Sequence, residues 1–259
     1  MSQVELAAGT TVVTVDNVSL DYYKEGEPLP VLAEVSLKAG KDELVAVTGP
    51  SGCGKSTLLR IISGLIEPTS GSVRILDSVV TGPRDDISMV FQNFVLLPWR
   101  TSLDNVEFGL SSRKDLTDAQ KKQKAEQALE IAGLTGFENV YPGELSGGMK
   151  QRVGVARALA TDPKVLLMDE PFSSLDDLTA ERLRRETYTL LINPSTSVQT
   201  VILVSHNVEE IIELADKVVV LSARPGRVKG ELKIDLPRPR NKKSQEFFDW
   251  VDKVYALLS

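Results

Sequence analysis

The segment Gly49–Ser56, which reads Gly-Pro-Ser-Gly-Cys-Gly-Lys-Ser, has the spacing of a phosphate-binding loop: a glycine, four further residues, and then Gly-Lys-Ser. The glycines let backbone N–H groups converge on phosphate oxygens at the start of a helix, where the helix dipole also favours negative charge. Lys55 is expected to neutralise the β- and γ-phosphates, and the Ser56 hydroxyl to bind Mg²⁺. The alternative is a glycine-rich turn without a ligand, and the flanking strand and helix patterns disfavour it.

A second motif places two acids at the end of an apolar strand, because Val165–Met168 leads directly into Asp169 and Glu170. Open α/β sheets bind ligands at the carboxyl ends of their strands, so Asp169 is expected to hold Mg²⁺ or one of its waters. Glu170 is aimed differently and is expected to polarise an attacking water. The alternative, a pair of acids at the start of the next helix, is less consistent with a phosphate loop upstream.

The elements that must position these groups follow from the hydrophobic pattern. Short β-branched runs predict early strands at Thr11–Val15, Val31–Leu37, Leu44–Thr48, Ser72–Leu76 and Ile87–Phe91. Later apolar runs predict strands at Val165–Met168, Val201–Ser205 and Val218–Leu221, alternating with helical patterns at Asp177–Leu191 and Val208–Ala215. This alternation predicts a parallel sheet covered by helices.

A helical insertion of about 93–160 interrupts the strand pattern. Within it, the spacing of Thr117 and Gln120 forms a capping box, and Gly133 is a stop signal. A further helix is expected at Thr57–Ser63, directly after the phosphate loop.

The composition excludes several classes of protein. The chain has 259 residues, of which 42% are hydrophobic and 25% charged, which is typical of a globular protein of roughly one or two domains. Its net charge of -6 provides no overall positive field for nucleic acid. No apolar run approaches the roughly 20 residues that span a bilayer, and the first nine residues lack the basic start of a secretory signal, so a cytoplasmic location is expected.

The single cysteine, Cys53, cannot form an internal disulfide, which favours a reducing compartment. It is interpreted as a small residue of the loop rather than as a nucleophile. Its place near a helix N-terminus is nevertheless expected to lower its pKa.

The segment Arg224–Lys243 carries eight basic residues against two acids, a local charge of +6 that leaves -12 on the rest of the chain. A solvated linker is the expected role, and contact with anionic lipid or a partner is the alternative. Beyond it, Ser244 is expected to cap a last helix whose apolar stripe packs on the body of the protein, formed by Phe247, Val251, Val254, Tyr255 and Leu258.

Further motifs carry a family resemblance. The sequence Leu-Ser-Gly-Gly-Met-Lys-Gln-Arg at Leu145–Arg152 resembles the signature of ATP-binding cassette (ABC) subunits and lies between the two motifs above, as in that family. Gln92 resembles the Q-loop glutamine, Ser174–Asp176 the D-loop, His206 the switch histidine, and Tyr22 the aromatic residue that stacks on adenine.

The resemblance covers about Val12–Ala223 and implies a P-loop NTPase of ABC type: an α/β protein with a RecA-like, mostly parallel sheet core, an antiparallel β subdomain and a helical subdomain. The ATPase domain is expected to span 1–241 and the C-terminal helix 242–259. The family binds ATP with Mg²⁺ between two cassettes arranged head to tail, each ATP lying between one phosphate loop and the opposite signature.

By resemblance, the catalytic residues are Glu170, His206 and Lys55, and the Mg²⁺ ligands are Ser56, Gln92 and Asp169. Expected ATP-binding residues of the same chain are Tyr22, Gly49, Pro50, Ser51, Gly52, Cys53, Gly54, Lys55, Ser56, Thr57 and Gln92. Those expected from the opposite subunit are Ser146, Gly147, Gly148 and Asp176.

A single cassette without a coiled-coil insert or a tandem copy resembles the separate ATPase subunit of an importer. The sequences at Leu96–Val106 and Ser222–Val228 resemble the group that imports nitrate, sulfonate, taurine and bicarbonate. The alternatives are a subunit of an exporter or lipid-transport system, an ABC ATPase that acts on nucleic acid, and a P-loop kinase outside the family.

Importers of this kind combine a homodimer, or two closely related ATPase subunits, with two transmembrane permease subunits and, indirectly, a substrate-binding protein. The expected location is therefore peripheral, on the cytoplasmic face of the inner membrane. Phe94–Arg100 is the candidate contact for the coupling helix of the permease. Trp99 is expected either to be an exposed interface anchor or to pack inside the insertion.

Overall fold

The computed structural model describes residues 10–173, 180–181, 184, 188–189 and 196–259. Its strands are β1 (Thr11–Lys24), β2 (Glu27–Gly40), β3 (Glu43–Thr48), β4 (Ser70–Ile75), β5 (Ser78–Val79), β6 (Ile87–Val90), β7 (Val165–Asp169), β8 (Thr200–Val204), β9 (Lys217–Leu221) and β10 (Val228–Lys233). Its helices are α1 (Lys55–Ile62), α2 (Ser102–Gly109), α3 (Asp118–Ile131), α4 (Gly147–Leu159), α5 (Val208–Leu214) and α6 (Gln245–Leu258). The helix predicted at Asp177–Leu191 lies largely outside the described residues, as do Ser174, Leu175 and Asp176.

The larger sheet has the strand order β10-β9-β3-β8-β7-β6, and every pairing except that of β10 with β9 is parallel. Strands β7 and β8 are buried at every position, since the sheet has core clusters on both faces. This burial explains their continuous apolar sequences. The carboxyl ends of β3, β6, β7 and β8 share one edge, which carries the two predicted motifs.

The smaller sheet is antiparallel, with the order β2-β1-β4-β5. Strands β1 and β2 have 14 residues each and are much longer than the predicted runs, because they continue into a hairpin in which Tyr22 pairs with Leu29 and Lys24 with Glu27. Most of these outer positions are exposed and include prolines and charged residues, so the alternating hydrophobic pattern ends before the backbone pairing does. Strand length here is decided by the partner strand.

Helices α2, α3 and α4 share an apolar core that includes Val106, Leu129 and Val153. Helix α3 begins at the predicted capping box of Thr117 and Gln120 and ends just before Gly133. Helix α2 begins at a second capping box, Thr101 with Asp104, which the sequence analysis did not single out.

The expectation of a solvated linker at 224–243 is wrong for much of its length. Strand β10 lies within it and pairs with β9, and the guanidinium groups of Arg238 and Arg240 donate to carbonyl oxygens at the end of α5. These cations satisfy acceptors that a helix C-terminus leaves free. The basic residues are therefore partly structural.

Helix α6 packs on the body through Phe247, Val251 and Val254. Tyr255 does not belong to that buried stripe, because it is 53% exposed. Among the described residues, no helix combines the length and the apolar character needed to span a membrane.

Candidate nucleotide-binding site

The phosphate loop joins β3 to α1 and is closely packed. Gly49 and Gly54 have φ angles of 156° and 103°, and a Cβ at Gly54 would lie 2.6 Å from the Leu32 Cδ2 atom. Only glycine fits such a conformation at so close an approach. The Lys55 ammonium donates to the carbonyl oxygens of Gly49 at 2.8 Å and Pro50 at 3.2 Å, so a cation is already held inside the loop.

Ser56 and Asp169, which are 113 positions apart in the sequence, meet beneath this loop. The Ser56 hydroxyl donates to Asp169 Oδ1 at 2.9 Å, and Asp169 is buried. Burial raises the pKa of Asp169, while the hydrogen bond from Ser56 lowers it and the nearby Glu170 raises it further. Mg²⁺ sites commonly combine one carboxylate with a hydroxyl and phosphate oxygens, so this pair of oxygen donors fits the ion.

Gln92, the third expected metal ligand, follows β6 at the same edge of the sheet. Its side-chain amide donates to the Ser173 hydroxyl at 3.2 Å, and Ser173 in turn donates to the Glu170 carbonyl oxygen at 2.9 Å. Gln92 is thus connected to the residue that follows Asp169 rather than to Ser56.

Glu170 and His206 are brought into direct contact by the ends of β7 and β8. The His206 Nδ1 atom shares a hydrogen bond with the Glu170 carboxylate. Glu170 has a φ of 47°, a conformation that is unusual for a non-glycine residue and that clusters at functional sites. Its backbone N–H donates to the Val204 carbonyl oxygen at 2.9 Å, which holds this conformation in place.

The signature serine, Ser146, is the N-cap of α4, where its hydroxyl accepts a hydrogen bond from the Met149 N–H at 3.3 Å. Gly147 and Gly148 form the first turn of the helix, so their N–H groups face its amino-terminal end. Tyr22, on β1, is 40% exposed. Asp176, the remaining expected contact, is outside the described residues.

Cys53 lies inside the loop and is fully buried. Burial raises the pKa of its thiol and outweighs the opposing charge of Lys55, so the expectation of a lowered pKa is wrong. A Cβ at Gly226 would lie 2.2 Å from the Cys53 carbonyl oxygen. The turn around Gly226 therefore packs directly against the backbone of the phosphate loop, a contact that the sequence did not predict.

Glu210 is a second residue that the sequence analysis missed. It lies on α5, four positions after His206, and is only 4% exposed. Burial raises the pKa of its carboxyl to about 7, although Arg184 and a hydrogen bond with Ser205 favour the charged form. A signal was present in the sequence, because this acid stands among the apolar residues of α5.

These features define a P-loop nucleoside triphosphatase: a lysine-bearing glycine loop, a hydroxyl–carboxylate pair beneath it, and a carboxylate–histidine pair beside it. A family model described as "ABC transporter" matches residues 32–173, more than half of the chain. The chain belongs to this family and is an ATP-binding, ATP-hydrolysing subunit of the ABC type.

Three relatives show how specific the similarity is. The nitrate import ATP-binding protein NrtD of Synechocystis is 45% identical, over 88% of this chain and 87% of its own length. The bicarbonate transport ATP-binding protein CmpD of the same organism is 42% identical, over 90% and 82%. The aliphatic sulfonates import ATP-binding protein SsuB of Bacillus cereus is 40% identical, over 93% and 94%.

A solved structure agrees with the fold. The ATP-binding cassette MJ0796, described as a dimer in a post-hydrolysis state bound to ADP and phosphate, superposes with a TM-score of 0.73 at 33% identity. The match covers 87% of this chain and all of that one.

Proposed function

We propose that this chain powers an importer of a small anion such as nitrate, a sulfonate, taurine or bicarbonate. The observation that carries the proposal is the similarity, at 40–45% identity over about nine-tenths of the chain, to subunits named for nitrate, bicarbonate and sulfonate transport. The sequences at Leu96–Val106 and Ser222–Val228 support the same group.

In the proposed reaction, a water molecule attacks the γ-phosphorus of ATP in line with the departing ADP. Glu170 accepts the hydrogen bond that orients this water, and His206 holds the Glu170 carboxylate in place. Lys55 would exchange its two carbonyl partners for β- and γ-phosphate oxygens, because a charged acceptor is the stronger one. Tyr22, through its exposed ring, would stack on the adenine.

Ser56 and Asp169 would hold Mg²⁺, and Gln92 would complete the site from the neighbouring strand end. When bound, Mg²⁺ supplies positive charge that neutralises the β- and γ-phosphate oxygens. The donor set supports this assignment, since hydroxyl, carboxylate and amide oxygens are the ligands that Mg²⁺ prefers.

The proposed active form is a dimer, either of two copies or with a closely related second subunit. The similarity to a cassette solved as a dimer with ADP and phosphate supports this arrangement. In it, the helix start at Ser146, Gly147 and Gly148 would contact the γ-phosphate bound by the other subunit, with Asp176 nearby.

Two permease subunits would dock, one on each ATPase subunit, at a groove of about 530 Å³ whose apolar lining includes Phe91, Val95, Leu97 and Phe108. Trp99, in the adjoining Phe94–Arg100 segment, is 72% exposed, which suits an interface anchor. Phe94 itself is buried and would support the segment from beneath. Docking there would place the chain on the cytoplasmic face of the inner membrane, with the substrate-binding protein reached only through the permease.

The test is purification through a tag on this chain, identification of the co-purified permease, and reconstitution of the complex in vesicles. We expect MgATP-dependent uptake of one of the four anions when its binding protein is present. Export of a substrate, or no uptake of any of the four, would contradict the proposal.

A further inference from the structure

Arg157, which none of the motifs above includes, joins the signature helix to the segment that follows Gln92. It lies in α4, and its guanidinium donates from Nη1 to the Val95 carbonyl oxygen at 2.8 Å and from Nη2 to the Phe94 carbonyl oxygen at 2.5 Å. The two acceptors are consecutive, so the planar guanidinium binds both at once. A lysine ammonium cannot reproduce this arrangement.

The turn that Arg157 binds is strained. Phe94 and Val95 have φ angles of 55° and 45°, in the left-handed region that non-glycine residues, and β-branched ones above all, avoid. Such a conformation persists only where the surroundings impose it. Here a Cβ at Gly154 would lie 3.5 Å from the Phe94 Cβ atom, so α4 packs closely against the turn.

The charged guanidinium of Arg157 is stabilised by the carbonyl oxygens of Phe94 and Val95. Among the described residues, no carboxylate pairs with Arg157, and burial lowers the pKa of its guanidinium. Arg157 is half-buried, so a guanidinium that lost these hydrogen bonds would be left partly desolvated without acceptors, and this cost favours the contact with the turn. Helix α2 closes the site from the other side, because a Cβ at Gly109 would lie 2.8 Å from the Arg157 Cγ atom.

We propose that Arg157 is a positioning residue for Gln92: by holding the turn at Phe94 and Val95 against α4, it makes Gln92 move together with the helix that begins at Ser146. The inference rests on the role proposed for Gln92 at the metal site. Arg157 and Val95 also line the groove described above. A partner in that groove would therefore act on the position of Gln92 through this contact.

The test is a double-mutant cycle in the purified full chain, with Arg157→Lys and Gln92→Ala. The measured quantities are the kcat of ATP hydrolysis and the Mg²⁺ concentration that supports half of the maximal hydrolysis rate. Each single substitution is expected to lower kcat by about tenfold, equivalent to about 1.4 kcal/mol, and to raise the Mg²⁺ requirement. The double variant is expected to match Gln92→Ala alone, because Arg157 acts through Gln92.

The proposal would be overturned if the double variant lost kcat by the product of the two single losses. Full activity of either single variant would also overturn it. A purely structural role would lower the melting temperature but leave the Mg²⁺ requirement unchanged. The matched control is Arg240→Lys, because Arg240 is also a half-buried arginine that donates to backbone carbonyl oxygens, those of Ile212 and Ala215, but does not line the groove. Where Arg157→Lys does not fold, Arg157→Met keeps the apolar stem of the side chain but cannot donate to either carbonyl oxygen, and it carries the same expectations.

The proposed transport function stands apart from these outcomes. Anion uptake by the reconstituted wild-type complex tests that function, whereas the cycle concerns only how Gln92 is held. If the reconstituted complex takes up an anion but the two substitutions lower kcat independently, the importer proposal stands and the role of Arg157 is rejected.

Discussion

The phosphate loop and the groove beside Trp99 differ in how their side chains are held. In the loop, Lys55 and Cys53 are buried, and the cation already has two carbonyl partners. In the groove region, Val95 is 55% exposed and Trp99 72% exposed. The phosphate loop is thus already packed in the single chain, whereas the groove presents apolar side chains to solvent.

The difference follows from the kind of ligand each region suits. A nucleotide is small and highly charged, so its site must be rigid and lined with donors before it arrives. A protein partner supplies its own apolar surface, so the region that receives it carries exposed aromatic anchors. The predictions below test this contrast, beginning with the largest effect.

Glu170→Gln is expected to lower ATP hydrolysis by roughly two to four orders of magnitude while ATP binding persists, because the amide cannot accept a proton from the attacking water. Phosphate release and nucleotide affinity are the two measurements. Glu67→Gln, at an exposed carboxylate, is the control. Near-normal turnover of the Glu170 variant would remove this residue from the chemistry and leave the nucleotide end without its proposed base.

Glu210→Gln is expected to stabilise the fold at alkaline pH. The pKa of this carboxyl is raised from 4.5 to about 7, so the folded protein holds a proton that the unfolded chain releases between those values. The wild type should therefore lose up to about 3 kcal/mol from this group as the pH rises from 4 to 8. Chemical unfolding of wild type and variant across this range measures the difference.

The stability advantage of Glu210→Gln should vanish near pH 4, where the wild-type carboxyl is protonated in both states. Glu209→Gln, on the exposed side of the same helix, should show no such pH dependence. Equal stabilities of wild type and Glu210→Gln at pH 8 would show that Arg184 compensates the buried charge.

Gly226→Ala is expected to weaken ATP binding by about tenfold or more, since the new Cβ would lie 2.2 Å from the Cys53 carbonyl oxygen and displace the phosphate loop. Titration with ATP measures the affinity. Gly143→Ala is the control, because a Cβ there would meet nothing within 4 Å. Unchanged ATP affinity would mean that the phosphate loop tolerates displacement and is not the rigid, preformed site contrasted above with the groove.

Trp99→Ala is expected to leave the ATPase activity of the isolated chain unchanged and to weaken binding to the permease by about tenfold or more. Co-purification yield and uptake by the reconstituted complex are the measurements, with Tyr23→Ala, another exposed aromatic, as the control. A loss of ATPase activity in the isolated chain would show that Trp99 affects catalysis. It would contradict the separation of the groove from the nucleotide site.

The sequence predicted the phosphate loop, both acids and the parallel core, because each depends on contiguous residues with a strong pattern. It underestimated the lengths of β1 and β2, because their outer ends are largely exposed and their extent depends on pairing between the two strands. It also interpreted Arg224–Lys243 as a linker, because a charge count does not reveal that Arg238 and Arg240 donate to the end of α5.

Residue type and spacing by themselves predicted the phosphate loop and the two acids, since Gly49–Ser56, Asp169 and Glu170 are recognised locally, and the resemblance of Leu145–Arg152 indicated the family. Only the tertiary structure decided which distant groups meet: Ser56 with Asp169, Glu170 with His206, and Arg157 with the turn at Val95. The physical reason is that these contacts join separate strand ends and helices. Their distances are set by packing of the sheet and its covering helices, which no local pattern encodes.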